Sequence, residues 1–163
     1  MEIILAENHG FCYGVKRAVE MANEAADGKG KSYTLGPIIH NPQVVGRLES
    51  KGVSPIQEVA DIDEGTMIIR SHGVGPAIYA EAEEKGLHIL DATCPHVKKA
   101  QQDAKSVIED GMTLVILGEK NHPEVKSINL WANNKGIIIE DEESAQNLQI
   151  VEKMGGVVQT TFS

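Results

Sequence analysis

The chain of 163 residues is 41% hydrophobic and 24% charged, an ordinary globular composition that excludes disordered and collagen-like classes. Fifteen Lys+Arg against 24 Asp+Glu leave a net charge of -9, and with one Trp, three Tyr and two Phe for base stacking the balance argues against a nucleic-acid partner. No apolar run approaches the roughly 18 residues of a membrane span, and MEIILAENHG lacks the basic start and long apolar stretch of a secretion signal, so a cytoplasmic protein without a membrane partner is the expectation.

Short aliphatic runs alternate with helical periodicity from the start. IILA at 3–6 predicts a strand, Val15, Ala18, Val19 and Ala22 a helix, and SYTL at 32–35 a strand. Val44, Val45 and Leu48 predict the next helix, MII at 67–69 a strand, 78–84 a helix, HIL at 88–90 a strand and 97–109 a helix. TLVIL at 113–117, a helix over 125–131, GIII at 136–139, a helix from Ser144 to Val151 and GVVQT at 156–160 complete the series. The pattern predicts an α/β fold of small, mostly parallel sheets flanked by helices.

An internal repeat runs through these elements. Cys12-Tyr13-Gly14-Val15-Lys16-Arg17-Ala18 matches Cys94-Pro95-His96-Val97-Lys98-Lys99-Ala100, at an offset of 82 (94 less 12). Leu35-Gly36 with His40 matches Leu117-Gly118 with His122 at the same offset (117 less 35). A third match, MIIRSHGV at 67–74 with GVVQTTFS at 156–163, takes an offset of 88 if His72 pairs with Thr160. Two αβ units follow, 1–93 and 94–163, the second C-terminally incomplete, because the Cys-bearing helix expected after the GVVQT strand has no counterpart before Ser163.

Cys12 and Cys94 each sit at a strand-to-helix junction, where free N–H groups and the helix dipole suit an anionic sulfur acting as metal ligand or nucleophile. A lone cysteine is more often a buried structural residue, but two at equivalent positions point to a shared soft-metal centre that needs further ligands. His40, His72 and His122 follow strand ends, the edge where open α/β sheets bind ligands, and together suit an anion. Glu124, in the first turn of a helix, is favoured by the dipole; facing the cysteine cavity it suits proton delivery, with the Thr160 hydroxyl orienting that path. His9, His88 and His96 read as structural, and Lys16, Lys98, Lys99 and the acidic run 140–143 as solvated surface.

GFCYGV, GPIIHNPQVV, SHGV, DATCP, EKNHPEV and QTTFS stand here in the order and approximate spacing of the LytB/IspH family of 4-hydroxy-3-methylbut-2-enyl diphosphate reductases, which the chain resembles. The resemblance implies three αβ units around a 4Fe-4S cluster, with the third unit missing here. It assigns Cys12 and Cys94 as two of the three cluster cysteines, the third Cys being absent from this chain. It makes His40, His72 and His122 the diphosphate-binding histidines, Glu124 the essential acid, and Thr160 its partner in catalysis and substrate binding. The implied reaction is reductive dehydroxylation of an allylic diphosphate substrate to isopentenyl and dimethylallyl diphosphate, the last step of the methylerythritol phosphate isoprenoid pathway, with an electron donor such as flavodoxin or ferredoxin. Two other readings stand beside it: a non-catalytic phosphate-binding αβ module, and a zinc hydrolase using Cys12, Cys94 and a His.

Overall fold

In the computed structural model, which describes residues 2–7, 9–28, 30–149 and 152–162, helix α1 (Tyr13–Asp27) leads into β1 (Ser32–Leu35), α2 (Pro42–Ser50) and β2 (Val53–Ile56). A 3-10 turn at Val59–Asp61, β3 (Thr66–Ile69), α3 (Pro76–Glu84) and β4 (His88–Asp91) follow. The alternation then repeats as α4 (Pro95–Glu109), β5 (Thr113–Leu117), α5 (Pro123–Trp131), β6 (Ile137–Ile139), α6 (Glu142–Gln146) and β7 (Met154–Val158). Every strand pairing is parallel, in the orders β2-β1-β3-β4 and β6-β5-β7. This is the α/β architecture of small parallel sheets that the alternation predicts.

Parallel strands covered on both faces read as continuous apolar runs, and β3 shows why. Met67, Ile68 and Ile69 are all 0% exposed. Ile68 packs into a cluster with Ala18, Ala22 and Val44 on one face, while Met67 and Ile69 pack with Val59, Ile62 and Ala82 on the other. The small residues Gly14, Ala18 and Ala22 form the buried face of α1, which lets that helix lie close to its sheet. A third cluster around Leu114, Ile116, Val125, Ile128 and Val157 builds the core of the second sheet.

The sheets also fix the register of the repeat. Thr34 pairs with Ile68, and Ile116 pairs with Val157, so the central strands are offset by 82 (116 less 34) and the third strands by 89 (157 less 68). The register therefore matches Ser71 with Thr160 and His72 with Thr161, one residue away from the pairing expected from sequence. The motif match slipped because the insertion before β7 carries no residue that marks its length.

Three other expectations change. Residues 3–6 form no strand, and Ile3, Ile4 and Leu5 are 74%, 84% and 78% exposed. The strand that leads into Cys94, β4, pairs with β3, whereas residues 3–6 have no neighbouring strand among the described residues, and an unpaired strand has no ladder to hold it. Strand β2 escapes the sequence pattern because Pro55 interrupts it; at the edge of the sheet a proline costs no ladder bond. The helix expected from Ser144 to Val151 is α6, closed at its start by reciprocal bonds between Asp141 and Ser144 and ending at Gln146; the expected end at Val151 lies outside the described residues.

Candidate functional site

The C-terminal edges of both sheets open onto one cavity of about 380 Å³. Cys12, His40, His72, Cys94, His122, Glu124 and Thr160 all line it, together with Asn41, Ser71 and Thr161. His9, His88 and His96 are exposed elsewhere.

Local sequence explains how the side chains reach this edge. Pro42, Pro95 and Pro123 occupy the first helical positions of α2, α4 and α5, where a proline starts a helix without losing a bond and holds the preceding residue extended. The preceding residues are Asn41, Cys94 and His122, so each becomes a helix cap at the cavity rim. Asn41 accepts a hydrogen bond from the Val44 N–H. Cys12 and Cys94 cap α1 and α4 without a side-chain cap bond, which leaves both sulfurs available. A Cβ added at Gly14 would stand 2.6 Å from the Cys94 Sγ, so the bare backbone of α1 is what makes room for that sulfur beside the Cys12 helix.

The imidazoles of His40, His72 and His122 form a tight trio, with ring centroids 4.7, 6.2 and 5.5 Å apart in the pairs 40–72, 40–122 and 72–122. One ring nitrogen from each lies within 4.8 Å of the others. The His122 Nδ1 accepts from the Glu124 N–H at 3.2 Å, so in the neutral ring the proton belongs on Nε2. That tautomer is a hydrogen-bond donor and suits an oxyanion better than a metal. Burial, then the neighbouring charges of His40, Arg70 and His122, push the His72 imidazole down to about 4. The His72 ring is therefore uncharged at neutral pH.

A stability consequence follows from His72. Its folded-state value of about 4 lies below the ordinary 6.5, so as pH falls the unfolded chain takes up this proton first. Stability from the neutral ring is fully present above about 6.5, and is lost as pH falls toward 4. Urea midpoints measured from pH 7 to 4.5 are expected to fall less steeply in His72→Asn than in the parent; parallel slopes would contradict the assignment.

Glu124 is only 2% exposed. Its two carboxylate oxygens accept from the Thr160 N–H at 2.6 Å and the Thr160 hydroxyl at 2.9 Å. The acid is thus aimed by the end of β7 and faces the same cavity as the sulfurs, an arrangement suited to passing a proton to a bound hydroxyl.

Several residues that sequence patterns did not single out assemble these parts. The Ser71 carbonyl accepts from the Cys94 N–H at 2.9 Å. Arg17 donates from α1 to the carbonyls of Asp91 and Thr93, tying the Cys12 helix to the loop before Cys94. The Ser127 hydroxyl, which receives a bond from the Gln101 amide, lies 2.8 Å from the His72 carbonyl and 2.9 Å from that of Glu124. Lys98, expected to be solvated, is instead 2.6 Å from the Asp91 carboxylate. Burial alone pushes that carboxyl up, but its bonds to Lys98 and Thr93 hold it below the usual range. The bonds from Arg17 to Asp91 and Thr93, from Gln101 to Ser127 and from Ser127 to His72 join residues distant in sequence, and only the fold reveals them.

Among the described residues the His trio is the one group of three or more His, Cys, Asp or Glu ligand atoms close enough to hold an ion. Neither cysteine belongs to it.

A family model described as LytB protein matches residues 3–163. A 4-hydroxy-3-methylbut-2-enyl diphosphate reductase of Geobacter metallireducens is 50% identical over 163 residues, and one from Geotalea daltonii is 51% identical over the same length; the match covers 100% of this chain and 58% of each relative. A solved structure of (E)-4-hydroxy-3-methyl-but-2-enyl diphosphate reductase, described as the terminal enzyme of the non-mevalonate pathway, superposes with a TM-score of 0.84 at 46% identity, covering 98% of this chain and 58% of that one. The E-1-hydroxy-2-methyl-but-2-enyl-4-diphosphate reductase of Plasmodium falciparum gives 0.90 at 32% identity, covering 95% and 50%. The chain thus spans about 58% of the length of the curated relatives it matches.

Proposed function

The chain belongs to the LytB protein family, and from that premise we propose that its two αβ units, 1–93 and 94–163, carry the diphosphate cradle, the acid and two cluster ligands of an allylic diphosphate reductase. The substrate is 4-hydroxy-3-methylbut-2-enyl diphosphate and the products are isopentenyl and dimethylallyl diphosphate. In balance, the allylic C–OH bond breaks, two electrons and two protons enter, and water leaves. The observation that carries this reading is the convergence of thiols, imidazole donors and a buried acid on one cavity.

Cys12 and Cys94 fit an iron–sulfur group. Both are free thiols at helix N-caps, and the absence of a Cβ at Gly14 leaves the space in which the Cys94 sulfur lies. They would hold a 4Fe-4S cluster, which supplies electrons and a Lewis-acidic iron when bound. The remaining work falls to the chain. His40, His72 and His122 donate to the diphosphate oxygens and fix the substrate's polar end. Glu124, aimed by Thr160, gives a proton to the departing hydroxyl, and Thr160 holds that hydroxyl in reach. Val15, Ile39 and Val97 line the cavity wall and exclude water from the hydrocarbon. A protein electron donor such as flavodoxin or ferredoxin and a cytoplasmic setting belong to the same reading; no described helix is long and apolar enough to cross a membrane.

Calorimetry with the allylic diphosphate tests the cradle. Binding is expected to weaken by more than about tenfold in His40→Ala and in His122→Ala, since each removes a donor to a charged ligand. Unchanged affinity in both variants would contradict the reading. A phosphate-binding module without chemistry has no use for a carboxylate buried at 2% exposure against Thr160, which is why the catalytic reading is favoured.

A further inference from the structure

The repeat exposes a residue that does not do what its counterpart does. The sheet register that matches Ser71 with Thr160 also matches Arg70 with Gln159. Both side chains lie over a glycine that follows the central strand. A Cβ at Gly36 would stand 2.9 Å from the Arg70 Nη1, and one at Gly118 would stand 2.8 Å from the Gln159 Oε1. In the second unit the fold uses this side chain completely: Gln159 accepts from the Glu119 N–H and donates to the Thr161 hydroxyl.

In the first unit the same exchange is impossible. The position matching Glu119 is Pro37, at the offset of 82 (119 less 37), which has no N–H, and arginine has no acceptor to offer. The Arg70 Nε is buried without a hydrogen-bond partner. Among the described residues no carboxylate lies at ion-pair distance from Arg70. A half-buried cation without a counter-charge is unfavourable unless something else supplies the charge. One side of Arg70 faces a groove of about 230 Å³ that contains Asn121 and Lys126 but no acidic side chain. Gly73 and Pro123, the residues directly after His72 and His122, also line that groove.

We propose that Arg70 is the fixed positive charge of the anion site, lying behind the His40, His72 and His122 donors and strengthening their hold on a diphosphate through its field. The proposal rests on the reading of the trio as an anion cradle. It gives the cradle a permanent charge, in a chain whose net charge is -9. Electrostatic influence of Arg70 on His72 agrees with this proximity. Besides the thiols of Cys12 and Cys94, the titratable groups lining the cavity are His40 from the loop after β1, His72, His122 and Glu124, while Arg70 and Lys126 line the adjoining groove.

Calorimetric titration with inorganic pyrophosphate tests the proposal on the whole chain. Arg70→Gln is expected to fold, since it removes a half-buried cation that has no counter-charge, and to bind about tenfold more weakly at low salt. Arg70→Lys should recover most of that loss, and Lys105→Gln, on the exposed face of α4, should bind as the parent does. The deficit of Arg70→Gln should shrink at high ionic strength, where charge effects are screened. Binding by Arg70→Gln within twofold of the parent, with His40→Ala defective, would overturn the proposal and leave the cradle standing. A loss independent of salt and shared by both Arg70 variants would overturn it too, as charge would not be its cause. Absence of pyrophosphate binding in the parent would remove the cradle and the proposal together.

Discussion

Glu124→Gln is expected to lower turnover of the allylic diphosphate by roughly 10²–10⁴-fold, the range of a lost general acid, with the fold intact. The amide keeps an oxygen for the Thr160 N–H, and the Thr160 hydroxyl, now beside an NH₂ group, turns to accept rather than donate. Packing survives while the transferable proton is gone. The effect should fall on kcat with KM changed only a few-fold, because in the proposed reading the histidines, not Glu124, hold the diphosphate end. Glu124→Ala differs: it removes the acceptor of both Thr160 donors and empties a position where the carboxyl is 2% exposed, so the acid is lost together with the bonds that place Thr160. A Glu124→Gln enzyme with parental kcat would show that the carboxyl only orients Thr160.

Gly73→Ala is expected to cost about 2–5 kcal/mol and to weaken diphosphate binding at the same time. Gly73 has φ +72, a left-handed conformation that costs a residue with a Cβ roughly 1–2 kcal/mol. The added Cβ would also stand 2.4 Å from the Gln101 Nε2 and 3.0 Å from the Thr93 Cγ2, and overpacking of this kind costs about 1–3 kcal/mol. Gln101 donates to Ser127, and Ser127 lies against the His72 carbonyl. Displacing Gln101 therefore loosens the loop that carries His72 together with the helix that carries Glu124. The urea midpoint and the pyrophosphate affinity should fall together; a fall in stability with unchanged affinity would show that the loop holds His72 without this network.

Much of this was readable from residue order because the chain states it twice. The C-x-x-V-K-[RK]-A match at offset 82 marks both cysteines as equivalent, and the Leu-Gly with a following His marks His40 and His122. Strand β3 declares itself by three consecutive apolar residues, as a strand covered on both faces must. What escaped depends on pairing across the chain. The one-residue slip between His72 and Thr160 could be settled only by the ladder of β5 with β7, and with it came the equivalence of Arg70 and Gln159. Strand β2 was hidden by Pro55, harmless only because that strand is an edge. Residues 3–6 look like a strand by composition, yet a strand requires a partner, which composition does not show.

The central claim is that Cys12 and Cys94 share one iron–sulfur group beside the histidine cradle. Iron and acid-labile sulfide per chain, measured after anaerobic reconstitution of the parent and of Cys12→Ser and Cys94→Ser, test it most directly. The account predicts iron and sulfide bound in comparable amounts in the parent and lost in either variant, with visible absorption disappearing in step. A parent that binds neither, or variants that retain both, would contradict it.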